Sequence, residues 1–600
     1  MLWLHDHILT VTIFLPLVGA VAIGLVPRGS TGRIRTLALV FSLLTFLAAL
    51  VLFFGFDRAQ PAMQFVEDYA WISWPPIHYH LGIDGLSMIL VLLTGFLTPL
   101  GVLISWADIC KREKEFYIFL LALETGSLGV FLALDLFLFF VFWEAMLIPM
   151  YFLIGVWGHE RRVYAAVKFI LYTMAGSALM LVGVIFLYER TGTFDYGQIL
   201  GALENGSLSL SHSAEGLLFW AFLLAFAIKV PLFPLHTWLP DAHTEAPSAG
   251  SVILAGVLLK MGTYGILRFC LPLFPTAARE FSTPLSILAI IGILYGALVA
   301  MVQPDLKRLV AYSSVAHLGF VVLGIFAFNL EGAEGAIYQM ANHGVSTGAL
   351  FLMVGMLYER RHTRLIKEFG GLATAIPVFS AFFLIVSLSS LGLPMLNGFV
   401  GEFLIILGAF HARAIFAALA AVGVILAAVY LLWMYQRVFF GEVTNEKNRH
   451  IPDCDAREKI MLTAVVAVML LMGVYPQPFL RQMDSSVSQV LARVNSAAVS
   501  ASKSLPMIKV ALDEPWIPAS AGMTDSRVAA RPGNVIPAKV VLRGRLFSNQ
   551  PGGKARRSQT GEFPTESPTL AQDPHWTAFI PARNQPGASL NDPLSGGQAR

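Results

Sequence analysis

Apolar residues along this chain come in runs too long and too uniform for the helices of a soluble domain. Fourteen such stretches can be marked: 8–26, 34–56, 84–106, 116–135, 136–157, 165–188, 217–235, 247–271, 282–303, 306–328, 335–358, 374–410 (interrupted), 414–436 and 460–480. A run of roughly 18 apolar residues crosses a hydrocarbon core about 30 Å thick. Most of these runs also lack the polar face of a soluble surface helix. The pattern predicts an all-α polytopic membrane protein with about 14 transmembrane helices. The first run contains Pro16 and follows HDH rather than a basic segment, so it is expected to be a retained helix and not a cleaved leader.

The pattern changes after residue 482. Residues 482–500 can form a short amphipathic helix through Val487, Val490, Leu491 and Val494. From Ala501 the chain is rich in Pro, Gly, Ser and Arg, as in GNVIPAKVVLRGRLFSNQPGGKARR. A segment with so little apolar surface to bury cannot offset its ordering entropy, and residues 482–600 are expected to be a polar, mostly disordered extension.

Composition agrees with the spans: 56% of the 600 residues are hydrophobic and 13% charged, about half the charged share of a soluble domain. Charge placement adds direction. One alternating set of loops carries nineteen Lys and Arg residues, among them Arg33, Lys111, Arg161, Lys307, Arg360 and Arg449. The other set carries five: Arg58, Arg190, Arg268, Arg279 and Arg413. The excess marks the inward side and places the N-terminus outward. Net charge, +3, distinguishes no partner. The three cysteines, Cys110, Cys270 and Cys454, are isolated and form no CxxC pair, which argues against a Cys-ligated zinc or iron–sulfur centre.

Several ionisable residues fall at membrane depth, where each is a functional hypothesis in need of a partner. They are Glu124 in LALETGSLG, Glu144 in FFVFWEAMLIPM, Lys229 in AFAIKVPLFPLH, Lys260 in AGVLLKMGTYG, His317 in SSVAHLGF, His343 in MANHGVSTG and Glu402 in LNGFVGEFLII. Lys168 is near enough to a span end to snorkel. Glu124 can be a hydrogen-bonded acid and no more, and either histidine can be a packing residue. Metal binding by the histidines is disfavoured, because no second ligand sits at i+3 or i+4.

Two spans are interrupted. KVPLFPLHTWLP breaks the seventh at Pro231 and Pro234, and SLGLPMLNGFVGEF breaks the twelfth at Pro394 and Gly398. Irregular backbone at membrane depth is tolerated only against protein or a wet cavity. Matched breaks in two halves point to inverted repeats with an ion path between them. The predicted organisation is therefore 1–115 for helices 1–3, 116–271 and 282–440 for two inverted five-helix repeats (helices 4–8 and 9–13), 460–480 for helix 14, and 482–600 for the extension. The discontinuous helices are those at spans 7 and 12.

At these residues the chain resembles the antiporter-like membrane subunits of respiratory complex I, a family that includes Mrp-type antiporter and membrane-bound hydrogenase subunits. The resemblance is carried by WEAMLIPMYFLIGVWG, KVPLFPLHTWLPDAHTEAPSAGSVILAGVLLKMGTYG, SSVAHLGF and LPMLNGFVGEF, and extends over residues 1–480. Glu402 matches one branch, which carries Glu where the neighbouring L and N types carry Lys. The resemblance implies a proton-translocating subunit of a bacterial inner-membrane NADH–quinone oxidoreductase. In it Glu144 and Lys229 form an input ion pair, Lys260 is the central relay, His317 and His343 are relay or water-organising groups, and Glu402 is the outlet carboxylate. It also implies the lipid bilayer and the L and N types as neighbours. NADH, FMN, iron–sulfur clusters and quinone would sit on partner subunits, with no cofactor or metal on this chain.

Lysine suits such a relay because burial weakens its hold on its proton and a nearby carboxylate strengthens it. At an effective dielectric of about 20, a carboxylate attracts an ammonium by about 4 kcal/mol at ~4 Å and about 2 kcal/mol at ~8 Å. Lifting one charge across roughly 150–200 mV takes about 3.5–4.6 kcal/mol, so one opening pair cannot drive transport. The chain has no GxGxxG or P-loop pattern to supply that energy itself. Two other functions fit the same features: a cation/proton antiporter or hydrogenase subunit, and a membrane scaffold or quinone-site subunit without an ion path.

Overall fold

A computed structural model describes residues 6–504. Helices dominate it: α1 (Ile8–Leu25), α2 (Thr31–Gly55), α3 (Gly85–Asp108), α4 (Glu113–Leu132), α5 (Leu136–Ala145), α6 (Leu147–Trp157), α7 (Arg162–Thr191), a short α8 (Tyr196–Glu204), α9 (His212–Lys229) and α10 (Trp238–Glu245). The helical run Ser248–Leu273 is α11. It is followed by α12 (Ser282–Met301), α13 (Leu306–Ile325), α14 (Leu330–Arg361), α15 (Pro377–Ser390), α16 (Asn397–Ala412), α17 (Ala414–Phe439), α18 (Ala456–Val474) and α19 (Gln477–Ser504). Twelve spans are long and apolar enough to cross a membrane, α5 and α6 together making one of them. With α18, which meets α19 at a 65° bend, and the shorter apolar pair α15/α16, the described residues hold the fourteen spans expected.

Acidic and polar residues at the span boundaries start these helices by accepting their free N–H groups. Asp84 caps α3 through Leu86 and Ser87, Asp135 caps α5 through Phe137 and Leu138, and Asp305 caps α13 through Arg308. Asp455 and Glu458 form a reciprocal capping box on α18.

Burial sorts the spans. The apolar stretches of α11 and α14 are buried throughout, those of α13 and α3 nearly so, while α2 and α17 bury only a third of theirs. Candidate ionisable groups at positions 260, 317 and 343 thus lie on the innermost helices. α11 departs from regular α geometry in two π segments, Leu254–Leu258 and Ile266–Cys270, which flank Lys260 and contain Arg268. Such bulges rotate the side chains that follow them, and they recur at functional sites.

A two-stranded antiparallel hairpin, β1 (Gln64–Ile72) and β2 (Ile77–Ile83), lies between α2 and α3. Glu67 on β1 accepts from the Leu9 and Thr10 amides at the start of α1, a carboxylate placed where the helix dipole favours it. On β2, burial would push the His80 imidazole down. Its hydrogen bond to Asp195 (2.5 Å) and the Asp195, Asp68 and Asp135 charges lift it above the ordinary 6.5.

α19 extends the expected amphipathic helix in both directions. Its buried apolar residues, Met483, Val487, Leu491 and Val494, recur at helical spacing and include three of the four positions read from the sequence. The disorder expected further along concerns residues outside those described. Arg268, assigned to a loop in the charge tally, sits inside α11 and pairs with the Asp84 side chain, both about 4% exposed. This pair carries a prediction. Asp84→Leu leaves a buried guanidinium without its counter-ion and should destabilise the folded chain by about 3–5 kcal/mol. Thermal unfolding in detergent checks it, and the double variant Asp84→Leu/Arg268→Leu should recover much of the loss.

Candidate functional site

The break after α9 shows how the chain tolerates irregular backbone at depth. Pro231 has no N–H, so the Leu232 amide reaches back five residues to the Ala227 carbonyl (2.9 Å). That leaves the Ile228 carbonyl free, and the Trp238 indole donates to it at 2.9 Å. The break between α15 and α16 is closed the same way: the Leu393 amide reaches the Leu388 carbonyl (3.1 Å) just before Pro394. Lys229 is the last residue of α9, and Glu402 lies in the second turn of α16.

Four of the expected residues converge. The Lys260 amine donates to the Ala255 carbonyl and shares a 2.6 Å hydrogen bond with His343 Nδ1. His343 Nε2 has no protein partner. The His343 ring centroid lies 5.9 Å from that of His317. His317 Nδ1 donates to Glu402 Oε1 at 2.9 Å, and its Nε2 lies 3.3 Å from the Tyr430 hydroxyl. Gln339 Nε2 also donates to Glu402 Oε1 (3.0 Å), and the Asn342 amide donates to Gln339 Oε1 (3.1 Å). Lys260, His343, His317 and Glu402 are each at most 3% exposed. The result is a buried line of protic groups from α11 through α14 and α13 to the broken helix α16.

Glycine shapes the far end of this line. Gly392, in the break, has φ +80°, and a Cβ there would come within 2.8 Å of Glu402 Oε2. Gly392→Ala therefore combines backbone strain with displacement of the carboxylate. It should reduce transport activity in a complex that still assembles, as measured by pumping rate against subunit content.

The other two expected residues stand apart. Lys229 does not form the expected ion pair with Glu144. Its ammonium lies 4.9 Å above the Trp143 ring, 5.7 Å from that of Phe169 and 3.8 Å from Met146 Sδ. Glu144 ends the regular part of α5, beside exposed Ala145, and its Oε1 has no protein partner. Glu144 is half-buried with its Oε1 shielded from solvent, and the Lys229 ammonium meets aromatic rings and a thioether at close range instead of a carboxylate.

Sequence inspection passed over three groups. Gln339 and Asn342 share a helix face with His343 and Ser346, a polar stripe at i, i+3, i+4 and i+7 in an apolar helix that periodicity would have revealed. His243, on α10, is fully buried with neither ring nitrogen bonded, stacked on Phe351 at 4.5 Å. His243 lies within the string KVPLFPLHTWLPDAHTEAPSAG that carries the resemblance, but its burial was not visible there.

Fourteen spans, two proline-broken helices and a buried Lys–His–His–Glu line together define an antiporter-like membrane subunit. The chain belongs to the NADH:quinone oxidoreductase/Mrp antiporter transmembrane family, whose model matches residues 133–427, and within it to the group of subunit M and chain 4 proteins. It is 48% identical over 482 residues to NADH-quinone oxidoreductase subunit M of Rhodobacter capsulatus, covering 78% of this chain and 94% of that one. To NADH-ubiquinone oxidoreductase chain 4 of Marchantia polymorpha it is 44% identical, covering 80% and 96%. Among solved structures, respiratory complex I from Thermus thermophilus with bound NADH contains a chain matched with a TM-score of 0.74 and 34% identity, covering 81% of this chain and 99% of that one.

Proposed function

We propose that this chain is the proton-translocating subunit M of a bacterial NADH–quinone oxidoreductase. The observation that carries this is the buried connection Lys260–His343–His317–Glu402, which joins the centre of the bundle to a broken helix. Each member can bind and release a proton, and the unbonded His343 Nε2 is a place for water to complete the line. Lys229 and Glu144 form the loading end. Their separation corresponds to the open arrangement of a pair whose closure would strengthen the lysine's hold on its proton. The two five-helix units 116–271 and 282–440 act as inverted halves, a reading supported by the matching five-residue hydrogen bonds at both breaks.

Energy for the uphill step comes from redox chemistry on partner subunits, where NADH, FMN, iron–sulfur clusters and quinone are bound. The L and N types are the neighbours in the membrane. The chain resides in the bacterial cell membrane with its N-terminus outward, as the loop charge asymmetry supports. An Mrp-type or hydrogenase role is less favoured, because relatives at 42–48% identity are named subunit M or chain 4 of the oxidoreductase. A scaffold or quinone-site role leaves the buried line without a purpose.

The test uses the whole complex in sealed vesicles. Lys229→Ala and Glu144→Ala should each strongly reduce NADH-driven proton uptake while the complex assembles. Intact coupled pumping in both variants would favour the scaffold, and sodium-dependent transport by the isolated membrane chain would favour the antiporter.

A further inference from the structure

One acid that the relay does not use has a more demanding environment than any that it does. Glu124, near the middle of α4, is 1% exposed, and neither carboxyl oxygen has a protein partner. Thr98 of α3 lies beside it but commits its hydroxyl hydrogen to the Thr94 carbonyl at 3.0 Å. A bare carboxylate in such a place is among the costliest of buried groups, so a proton or water has to accompany it.

The orphaned groups are not scattered. Tyr117, two turns earlier on the same face of α4, is fully buried with its hydroxyl unbonded, and the Thr125 hydroxyl and the Trp106 indole N–H of α3 are also without partners. Four side chains on two adjoining helices thus offer donors and acceptors that no protein atom meets. Buried water characteristically occupies such places, with two to four polar partners for each molecule.

One of the two helices that bound the seam, α4, also touches the helix that carries Lys260. The Tyr264 hydroxyl on α11 donates to the Phe131 carbonyl on α4 at 3.0 Å, which fixes the two helices in register. From that bond toward the helix N-termini, Lys260 is four residues away, about 6 Å, and Glu124 is seven, about 10 Å. Acid and amine therefore sit within roughly one helical turn of the same depth.

We propose that Glu124 is a proton-carrying site on a hydrated seam between α3 and α4, and that it exchanges protons through water with Lys260. In the step, the Glu124 carboxylic acid releases its proton into the water chain and the neutral Lys260 amine takes one up, giving carboxylate and ammonium. The carboxylate regains a proton from water on the side of Tyr117 and Trp106, so charge and atoms balance over the cycle. This makes a loading branch distinct from Lys229, and it rests on Lys260 being a proton site.

The experiment compares Glu124→Gln and Glu124→Asp in the complete complex in sealed vesicles. Gln keeps the size and hydrogen-bonding capacity but cannot carry the proton, so pumping should fall about tenfold, whereas Asp should retain a large part of it. Infrared difference spectra on NADH addition should show a carboxylic-acid carbonyl band, shifted in heavy water, that Glu124→Gln removes and Glu124→Asp displaces. Wild-type pumping in Glu124→Gln, equal losses in Gln and Asp, or an unchanged carbonyl band in Gln would overturn the proposal. Lys260→Ala in the same vesicles separates the two levels. If it pumps normally, the relay itself fails; if it is impaired while Glu124→Gln is not, only the Glu124 branch fails.

Discussion

Lys229→Arg should abolish coupled proton pumping while leaving the complex assembled. The ammonium of Lys229 lies over Trp143 and Phe169 and against the Met146 sulfur. A guanidinium stacks on aromatic faces at least as well, so the substitution keeps the charge, the cation–π contact and much of the packing. It changes one property: arginine stays protonated at any pH the complex meets. If Lys229 works by releasing its proton, pumping falls by an order of magnitude or more, since acid–base groups contribute roughly 10²–10⁴-fold. If Lys229 is only a fixed positive charge that organises α9 and α5, Lys229→Arg pumps as the wild type does, and the relay role is lost. Proton uptake and NADH oxidation measured together in inverted vesicles, with subunit content by immunoblot, decide between these outcomes.

The second large effect is expected at the other end of the line. Glu402 Oε1 accepts from both His317 Nδ1 and Gln339 Nε2. Hydrogen bonds to a charged group contribute about 1.5–3 kcal/mol each, and every 1.4 kcal/mol is about tenfold in an equilibrium. Glu402→Gln keeps a carbonyl oxygen that can accept from both donors but removes the negative charge that draws a proton along from His317. Pumping should fall at least about tenfold. Glu402→Asp, about one bond shorter, retains the charge yet withdraws from His317, so it should fall between Gln and wild type. Equal rates for all three would show that Glu402 is a structural acceptor and not an outlet.

The predicted Glu144–Lys229 pair and the observed Lys260–His343 bond illustrate what a sequence can and cannot provide. Both lysines were identifiable from depth alone, because an ammonium amid apolar residues stands out whatever surrounds it. Partners were not. Lys229 and Glu144 belong to separate helices, and the rotation of each helix about its own axis sets where its side chain points. Lys260 and His343 are 83 residues apart and meet only because α11 and α14 are packed together at the centre of the bundle. Arg268 and Asp84 meet in the same way at a separation of 184 residues.

Span number, the two proline breaks, the charge asymmetry of the loops and the amphipathic start of α19 were determined by the sequence itself. These are one-dimensional properties: a hydrocarbon slab about 30 Å thick imposes a minimum apolar length on every crossing, and proline withholds its N–H wherever it stands. The tertiary structure decided which buried groups touch, where the two π segments fall along α11, and that neither Glu124 carboxyl oxygen has a hydrogen-bond partner within reach. Those outcomes depend on helix rotation and on distances of a few ångströms between segments far apart in the chain, and no local pattern encodes them.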